Sequence, residues 1–382
     1  MNNATILIVG GGPGGLSTAL HLARLNPLLA SRILILEKER YPRPKLCAGG
    51  LTADAEALLE RLGLDLNEIP RVDVKTARFD FAGGGLKIRP RKRYALRVVR
   101  RDEFDSWLAD KVRERGVEIR EGVTVTAVIP DPNGVTVETD AERFRAEILV
   151  GADGSNGVTR RCILPNEPLS ASRTLEIITP SPNAGKALNT GDAFFDFFPV
   201  PKNVAGYTWN FPTQVKGQPM RCWGIYDSNL LSNFKRPALQ DLLAREMEQR
   251  GFQMEKRKIQ SHPIRRFEPQ NRFSAPRVLL VGDAAGADPL FGEGVSIALG
   301  YGAVAAREIA EALQRGEFSF RGYKSRLARS GLGQALFARW VIANLVYSLK
   351  WAWFQFLLWR VLQPVVALAA WVFILNWSKR IK

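Results

Sequence analysis

Residues 4–26 read ATILIVGGGPGGLSTALHLARLN. The apolar run 4–9 fits a short buried strand, and the apolar periodicity from about 14 to 26 fits a helix. Gly10-x-Gly12-x-x-Gly15 sits between them. In a strand–turn–helix, the first glycine makes the tight turn, the second admits a pyrophosphate, and the third lets helix and strand pack closely. Pro13 and Gly14 open the helix, whose free N–H groups attract phosphate. The next strand, RILILE at 32–37, ends on Glu37, 22 residues past Gly15, with Lys38 beside it. An acid there suits an unphosphorylated ribose, which favours FAD or NAD over NADP.

Two later turns bear on that choice. The strand EILV runs into Gly151-Ala152-Asp153-Gly154, and the strand VLLV runs into Gly282-Asp283, ahead of Gly292-Glu293-Gly294. An aspartate at such a turn accepts from a ribityl hydroxyl, and a glycine-lined helix start admits phosphate or a flavin ring. In this order and context the two turns point to FAD.

Alternating strands are expected at 73–81, 86–99, 117–119, 123–129, 134–140 and 143–150, with a helix at 102–115. From 172 to 227 short aromatic strands follow, including AFFDFF at 193–198 and GYTWNFP at 206–212. A helix near 237–250, a strand near 253–265 and a helix at 294–315 complete the body. The fold class is therefore α/β plus α+β. A discontinuous FAD-binding domain takes residues 1–70, 100–165 and 270–317, and an antiparallel-sheet substrate domain takes 71–99 and 166–269. Residues 318–382 form a helical C-terminal segment.

The chain has 382 residues, 46% of them hydrophobic, which excludes disorder, collagen and a small disulfide scaffold. Its formal charge of +16 is uneven: residues 318–382 hold ten basic residues, no acid and six of the nine tryptophans. Residues 361–378, VLQPVVALAAWVFILNWS, are uncharged and flanked by Arg360 and Lys379-Arg380. Eighteen helical residues reach about 27 Å, the lower edge of a membrane span. Gln363, Pro364 and Asn376 argue against a span, and bordering tryptophans with basic flanks favour an interface. The expected partner of residues 340–382 is an anionic membrane surface, met peripherally or monotopically, ahead of a packed helical hairpin or a true span. A nucleic-acid arm is excluded by the high apolar density and sparse basic residues. Cys47, Cys162 and Cys222 are scattered and only two histidines occur, so no metal site or disulfide framework is expected. No basic region precedes a cleavable apolar stretch, so no signal peptide is read and the cytoplasmic side is expected.

Three further motifs carry a family resemblance: Pro42-x-x-Lys45-x-Cys47-x-Gly49-Gly50-Leu51, Tyr207-x-Trp209-x-Phe211-Pro212, and GDAAGADPLFGEG at 282–294. On these the chain resembles the geranylgeranyl reductases, glutathione-reductase-type flavoproteins of the para-hydroxybenzoate hydroxylase fold. The likeness extends over nearly all of the chain to about 315. It implies a Rossmann-type FAD-binding domain with an inserted antiparallel-sheet domain. It also implies cofactor contacts from Lys45, Cys47, Ala48, Gly49, Arg101, Val125, Asp153, Gly154, Asp283, Pro289, Gly292, Gly294 and Val295. Cys47, Tyr207 and Trp209 become the catalytic candidates, with Phe195, Phe197, Phe211 and Pro212 as cavity walls. Two departures stand out. Gly157 replaces an expected serine, and Gly300-Tyr301-Gly302 replaces an expected Ser-Gly pair, a change expected to reshape the floor of the site.

The reaction so implied is saturation of prenyl double bonds by hydride from reduced flavin N5, on a lipid, chlorophyll-type or quinone precursor. Gly331-x-Gly333 lacks a third glycine, so no second dinucleotide domain is read. The external donor is then NAD(P)H in transient contact or a reduced ferredoxin. The alternative is an FAD-dependent monooxygenase or halogenase of the same fold. A lysine between flavin and substrate would favour a halogenase, whereas the W-x-W-x-I-P signature is missing. A non-enzymatic flavoprotein is a third class.

Overall fold

A computed structural model of the chain describes residues 2–91, 93–181, 191–230, 237–255 and 258–381. Parts of the expected 172–227 and 253–265 blocks lie outside the described residues. The opening stretch forms the strand Asn2–Val9 and the helix Pro13–Leu25. Asn2–Val9 is central in an eight-stranded sheet, parallel to Ile33–Glu37 on one side and Arg143–Gly151 on the other. Val9 stands opposite Leu36 and Gly151, and Gly151 stands opposite Leu280 in the strand Val278–Leu280. That register brings the turns after all four strands to one edge, where ligands of such sheets bind. Val125–Asp131 and Gly134–Thr139 form an antiparallel meander against Arg143–Gly151.

The helices Pro13–Leu25 and Val295–Arg315 pack side by side on one face of this sheet, joined by a hydrogen bond from Ser17 Oγ to the Leu299 carbonyl at 2.8 Å. Their approach requires Gly302, because a Cβ there would lie 2.5 Å from Ser17 Oγ. Gly300 has a matching role, since its Cβ would lie 2.7 Å from the Trp377 ring. The Gly300-Tyr301-Gly302 departure therefore seats two packing partners on the helix. It does not reshape the floor of the site as expected.

The second sheet has seven strands in the order Gln260–Arg265, Ala171–Pro180, Gln218–Asp227, Gly206–Val215, Ala193–Asp196, Ala77–Phe81 and Gly84–Ile88. It is antiparallel except for the parallel pair Ala193–Asp196 with Ala77–Phe81, so the expected antiparallel sheet is a mixed one. The long strands expected at 73–81 and 86–99 are each divided. Arg71–Val74 and Leu96–Val99 join Gly50–Leu51 in a small third sheet, and Ala77–Phe81 and Gly84–Ile88 end the second. Pro90 lies between Gly84–Ile88 and Leu96–Val99, and a residue without an N–H interrupts a ladder. One face of the second sheet packs through Trp223 and Ile225 on the helix Leu239–Gln249. The other face carries Phe197, Tyr207, Trp209 and Phe211 towards the C-terminal segment.

That segment is helical, with Tyr323–Arg329, Gly331–Ser348, Ala352–Phe356 continued to Val361, and Gln363–Ala369 continued to Ile374. Among the described residues no single helix is long and apolar enough to cross a membrane; Ala352–Val361 and Gln363–Arg380 form one bent pair at 79°. The chain end returns to the first domain. The Asp54 carboxylate accepts from the backbone N–H of Asn376 at 2.9 Å and of Ser378 at 2.8 Å. Trp377 between them is 0% exposed. Replacing Trp377 by alanine is expected to cost about 3–5 kcal/mol in a denaturant titration. Trp353→Ala, at a site 64% exposed, is expected to stay within about 0.5 kcal/mol in the same measurement.

Candidate active site

The four strand ends build a cradle mainly from backbone. Gly10, at φ +104°, donates its N–H to the Leu36 carbonyl at 2.8 Å. A Cβ on Gly10 would lie 2.4 Å from the Ala152 carbonyl oxygen, and one on Gly15 would lie 2.1 Å from that of Gly10. These two glycines hold the strands and helix together, and Gly15 does not line the cavity. Gly12 and Gly14 do line it, and a Cβ on Gly12 would touch only Arg43, at 3.7 Å. The helix they open has no side-chain cap and no acid in its first turn, so its N–H groups stay available for an anion. Glu37 borders the same space, accepting from Gly11 N–H at 2.8 Å and Glu39 N–H at 3.0 Å.

From this cradle a cavity of about 1330 Å³ runs past the Cys47 loop and along the second sheet to the C-terminal helices. Lys38, Lys45, Cys47, Ala48, Gly49, Arg101, Val125, Asp153, Gly154, Gly282, Asp283, Gly292, Gly294 and Val295 line it, as do Phe195, Phe197, Tyr207, Trp209 and Phe211. Pro212 and Pro289 are brought elsewhere. Pro212 is buried in its strand opposite Arg221, and the Pro289 carbonyl accepts from Tyr226 OH at 3.2 Å.

Buried polar atoms normally find partners. Asp153 Oδ1, on a residue lining the cradle, has no hydrogen-bond partner in the structure, and Arg43 Nε has only an ion pair with Glu37 Oε2 at 3.6 Å. The other Asp153 oxygen accepts from Thr159 N–H at 2.8 Å, and burial raises the carboxyl above its ordinary range. Gly157 makes room for it, because a Cβ there would lie 2.2 Å from Asp153 Oδ1. That explains the first departure. An open helix start, the acid Glu37 at the end of the second strand and an unmatched Asp153 oxygen along one cleft fit a dinucleotide, so the residues present suit FAD. Gly12, Gly14, Glu37, Asp153 and Asp283 would hold it.

Beyond the cradle, Arg101 pairs with Asp105 through two hydrogen bonds of 2.8 Å. Burial opposes its charge, but Asp105 and the neighbouring Cys47 outweigh burial and keep the guanidinium protonated. Lys45 Nζ lies 3.0 Å from His262 Nε2; burial lowers its pKa, and nearby Asp283 works against that. Cys47 Sγ accepts from Gly49 N–H at 3.4 Å. Tyr207 OH donates to the Phe291 carbonyl at 2.6 Å, and Trp209 Nε1 donates to Cys222 Sγ at 3.5 Å. With these polar ends engaged inside the wall, both residues offer ring surface to the cavity.

Several lining residues escaped the sequence reading. Ile342, Val346, Leu358, Trp359, Val366 and Ile374 bring the C-terminal segment into the cavity wall. Arg339, 1% exposed, reaches Asp288 at 3.0 Å and Glu293 at 2.6 Å. Its signal was available, as the one charge in the apolar helix Gly331–Ser348. Glu176 and Thr174 also line the cavity; their strand mixes polar and apolar residues and carries Arg173 as well, so neither gave a comparable signal.

This geometry defines an FAD-dependent oxidoreductase acting on an organic substrate. The chain matches the FAD binding domain family over residues 3–326 and belongs to it. An uncharacterized protein of Methanosarcina barkeri is 30% identical over 337 residues, covering 86% of this chain and 80% of the other. A digeranylgeranylglycerophospholipid reductase of Thermoplasma volcanium is 26% identical over 366 residues, 89% of this chain and 87% of the other. The crystal structure of a geranylgeranyl bacteriochlorophyll reductase-like protein from Thermoplasma acidophilum superposes with a TM-score of 0.80 at 20% identity, covering 99% and 98%. A flavin-dependent halogenase and a flavin-dependent brominase superpose with lower scores, 0.65 and 0.68, both at 21% identity, and share the fold.

Two glycine substitutions separate cradle from scaffold. Gly12→Val is expected to keep the fold by circular dichroism while weakening FAD binding at least about 100-fold, ~2.7 kcal/mol. Gly10→Ala is expected to lower the yield of folded protein itself, because strain and a backbone clash coincide there.

Proposed function

We propose that the protein saturates carbon–carbon double bonds of a long prenyl chain carried on a membrane lipid. The observation that carries this reading is the continuity of one cavity, polar at the cofactor cradle and walled by aromatic and aliphatic side chains beyond it. Such a space suits an extended polyene better than a small aromatic acid. When bound and reduced, FAD supplies a hydrogen with its electron pair for alkene reduction. The aromatic strands orient the chain, Tyr207 and Trp209 act as walls, and the C-terminal helices exclude water from the reacting bond. The Cys47 loop sets the distance between the chain and the cradle. The electron donor in this reading is NAD(P)H in transient contact or a reduced ferredoxin.

The C-terminal segment supports a membrane location. Among the described residues, thirteen of the seventeen exposed large apolar side chains fall between Phe337 and Phe373. A patch of that kind marks an interaction surface. Leu345, Leu362, Val365 and Trp371 both belong to this patch and line the cavity, so the tunnel opens where the patch meets its surroundings. Lys379 and Arg380 are exposed beside it and suit anionic headgroups. Lys350 and Arg360 bind the body instead, through the Asn203 side chain at 2.7 Å and the Ala82 carbonyl at 2.9 Å. We place the protein on the bilayer surface, with the prenyl lipid entering sideways.

A monooxygenase or halogenase reading has one observation in its favour, the Lys45 amine on the cavity wall. Anaerobic chemistry separates the two. Dithionite-reduced enzyme, incubated without oxygen with digeranylgeranylglyceryl phosphate in anionic vesicles, is expected to yield products heavier by one H2 per bond reduced. Recovery of only starting lipid by mass spectrometry, with turnover of an aromatic substrate once oxygen is admitted, would overturn the reading. For the membrane surface, Trp371→Glu, at a site 65% exposed, is expected to lower cosedimentation with those vesicles about tenfold, ~1.4 kcal/mol, with unchanged thermal stability.

A further inference from the structure

Glu176 lies on the strand Ala171–Pro180, lines the cavity and is 4% exposed. The other buried acids around the site are more fully engaged, apart from Asp153, which also leaves one oxygen unmatched. Asp288 and Glu293 share Arg339, Asp54 accepts two backbone N–H groups, and Asp153 accepts one. Among the described residues Glu176 forms no ion pair, and its Oε2 has no hydrogen-bond partner. Its cross-strand neighbours are Gly224 and Gln260. Gly224 offers no side chain, and the Trp209 ring lies so close over it that a Cβ would be 2.0 Å away. The carboxyl therefore sits in a cleft beside an indole, with one oxygen unmatched.

The groups around it do not offset its charge. Its polar neighbours are the Cys222 thiol and the backbone N–H of Cys47, and Arg100 acts on it electrostatically without forming an ion pair. On the adjoining strand Gln260–Arg265, His262 stands opposite Thr174 and is engaged with Lys45. Cys222 is fully buried and its thiol is pushed well above its ordinary value, first by burial and then by Glu176 itself, so it stays neutral. Leaving a carboxylate unpaired in such a place is costly, and taking up a proton removes the cost. Burial pushes the Glu176 carboxyl up to about 7, with Cys222, Arg100 and the Cys47 N–H acting the other way.

We propose that Glu176 is the resident acid of the cavity and supplies the proton that completes saturation of the substrate double bond. The inference rests on the reductase reading. In the balanced step, one alkene carbon gains a hydrogen with both electrons from the reduced cofactor. The alkene π pair forms the second C–H bond at the other carbon, taking the proton of Glu176. The cofactor is left oxidised and Glu176 is left as a carboxylate, which regains a proton from water once product leaves. No further oxidant or reductant is needed.

The test uses FAD-loaded enzyme, reduced with dithionite under anaerobic conditions and mixed with digeranylgeranylglyceryl phosphate in anionic vesicles. Flavin reoxidation is followed in a single turnover. Because the acid form is the active one, the wild-type rate is expected to be full at low pH and lost as pH rises through about 7. Glu176→Gln is expected to slow reoxidation at least about 100-fold and to lose that inflection, with FAD binding and dithionite reduction unchanged. Infrared difference spectra supply a readout independent of turnover. Burial also pushes the Asp196 carboxyl up to about 7, so the spectra are compared by difference: the wild type is expected to show one protonated-carboxyl band, titrating away through about 7, that Glu176→Gln lacks. A variant that reoxidises at the wild-type rate overturns the proposal. So does one that loses FAD or stability yet keeps the pH profile, which marks a purely structural role. If Glu176→Gln does not fold, Glu176→Asp, which keeps an acid on a shorter arm, decides: an unchanged reoxidation rate and an unchanged band overturn the proposal. Wild-type enzyme that saturates no prenyl chain overturns the reductase reading and the destination of the proton, and the band then reports separately on the acid.

Discussion

The Arg339 guanidinium is the point on which the two parts of this molecule close. It comes from the C-terminal helix Gly331–Ser348, meets Asp288 and Glu293 on the turn before Val295, and donates to the Ile374 carbonyl at 3.1 Å. Glu293 also accepts from Thr52 Oγ at 2.9 Å, so four separate stretches converge on one buried charge. Burial raises the Asp288 carboxyl; it works the same way on Glu293, where Arg339, Ser296 and Thr52 outweigh it and hold the group down. Buried pairs of this kind add little net stability over an apolar core, but removing one partner typically costs about 3–5 kcal/mol. Their value here is positional. The turn that borders the cofactor cradle cannot shift without disturbing the helix that walls the tunnel.

The cavity thus has two ends made from different materials. At the cradle the contacts are backbone N–H groups and short loops, fixed by strand register and by glycines that admit no side chain. At the far end they are rings, among them Phe195 with Phe211 at 4.9 Å and Phe197 with Trp359 at 4.0 Å between centroids. Backbone geometry is hard to alter by substitution, whereas a wall of rings is reshaped by single changes. Cofactor identity is therefore set by the fold, and the shape of the substrate space by a handful of side chains.

The cofactor half was legible in the sequence because its information is local. A glycine pattern, a strand and an acid at a fixed distance lie within the opening forty residues, and each turn after a strand carries its own small motif. The substrate half was legible only as a tendency towards aromatic strands. Pro212 illustrates the limit: it belongs to a motif whose alternate members face the cavity, yet its own position on the strand turns it away. The division of 86–99 had a local signal in Pro90, but which sheet each half joins depends on pairings distant in sequence. Arg339 stood out as the lone charge in an apolar helix, but its partners lie far away in sequence; Glu176, on a strand that also carries Arg173, did not stand out. The tail read as a surface segment, and its second role as cavity wall depends on where the chain returns.

Arg360 gives that return a consequence for handling the protein. It donates to the carbonyl of Ala82, in the turn before Gly84–Ile88, the outermost strand of the second sheet. A Cβ on Gly84 would lie 2.9 Å from the guanidinium. The greasy segment is therefore also the cover of a strand edge, and an uncovered edge is a template for pairing with another chain. Shortening the gene to obtain a more tractable preparation would trade one sticky surface for another, with a core opened to water as well. Exchanging individual outward rings for polar ones keeps the cover in place.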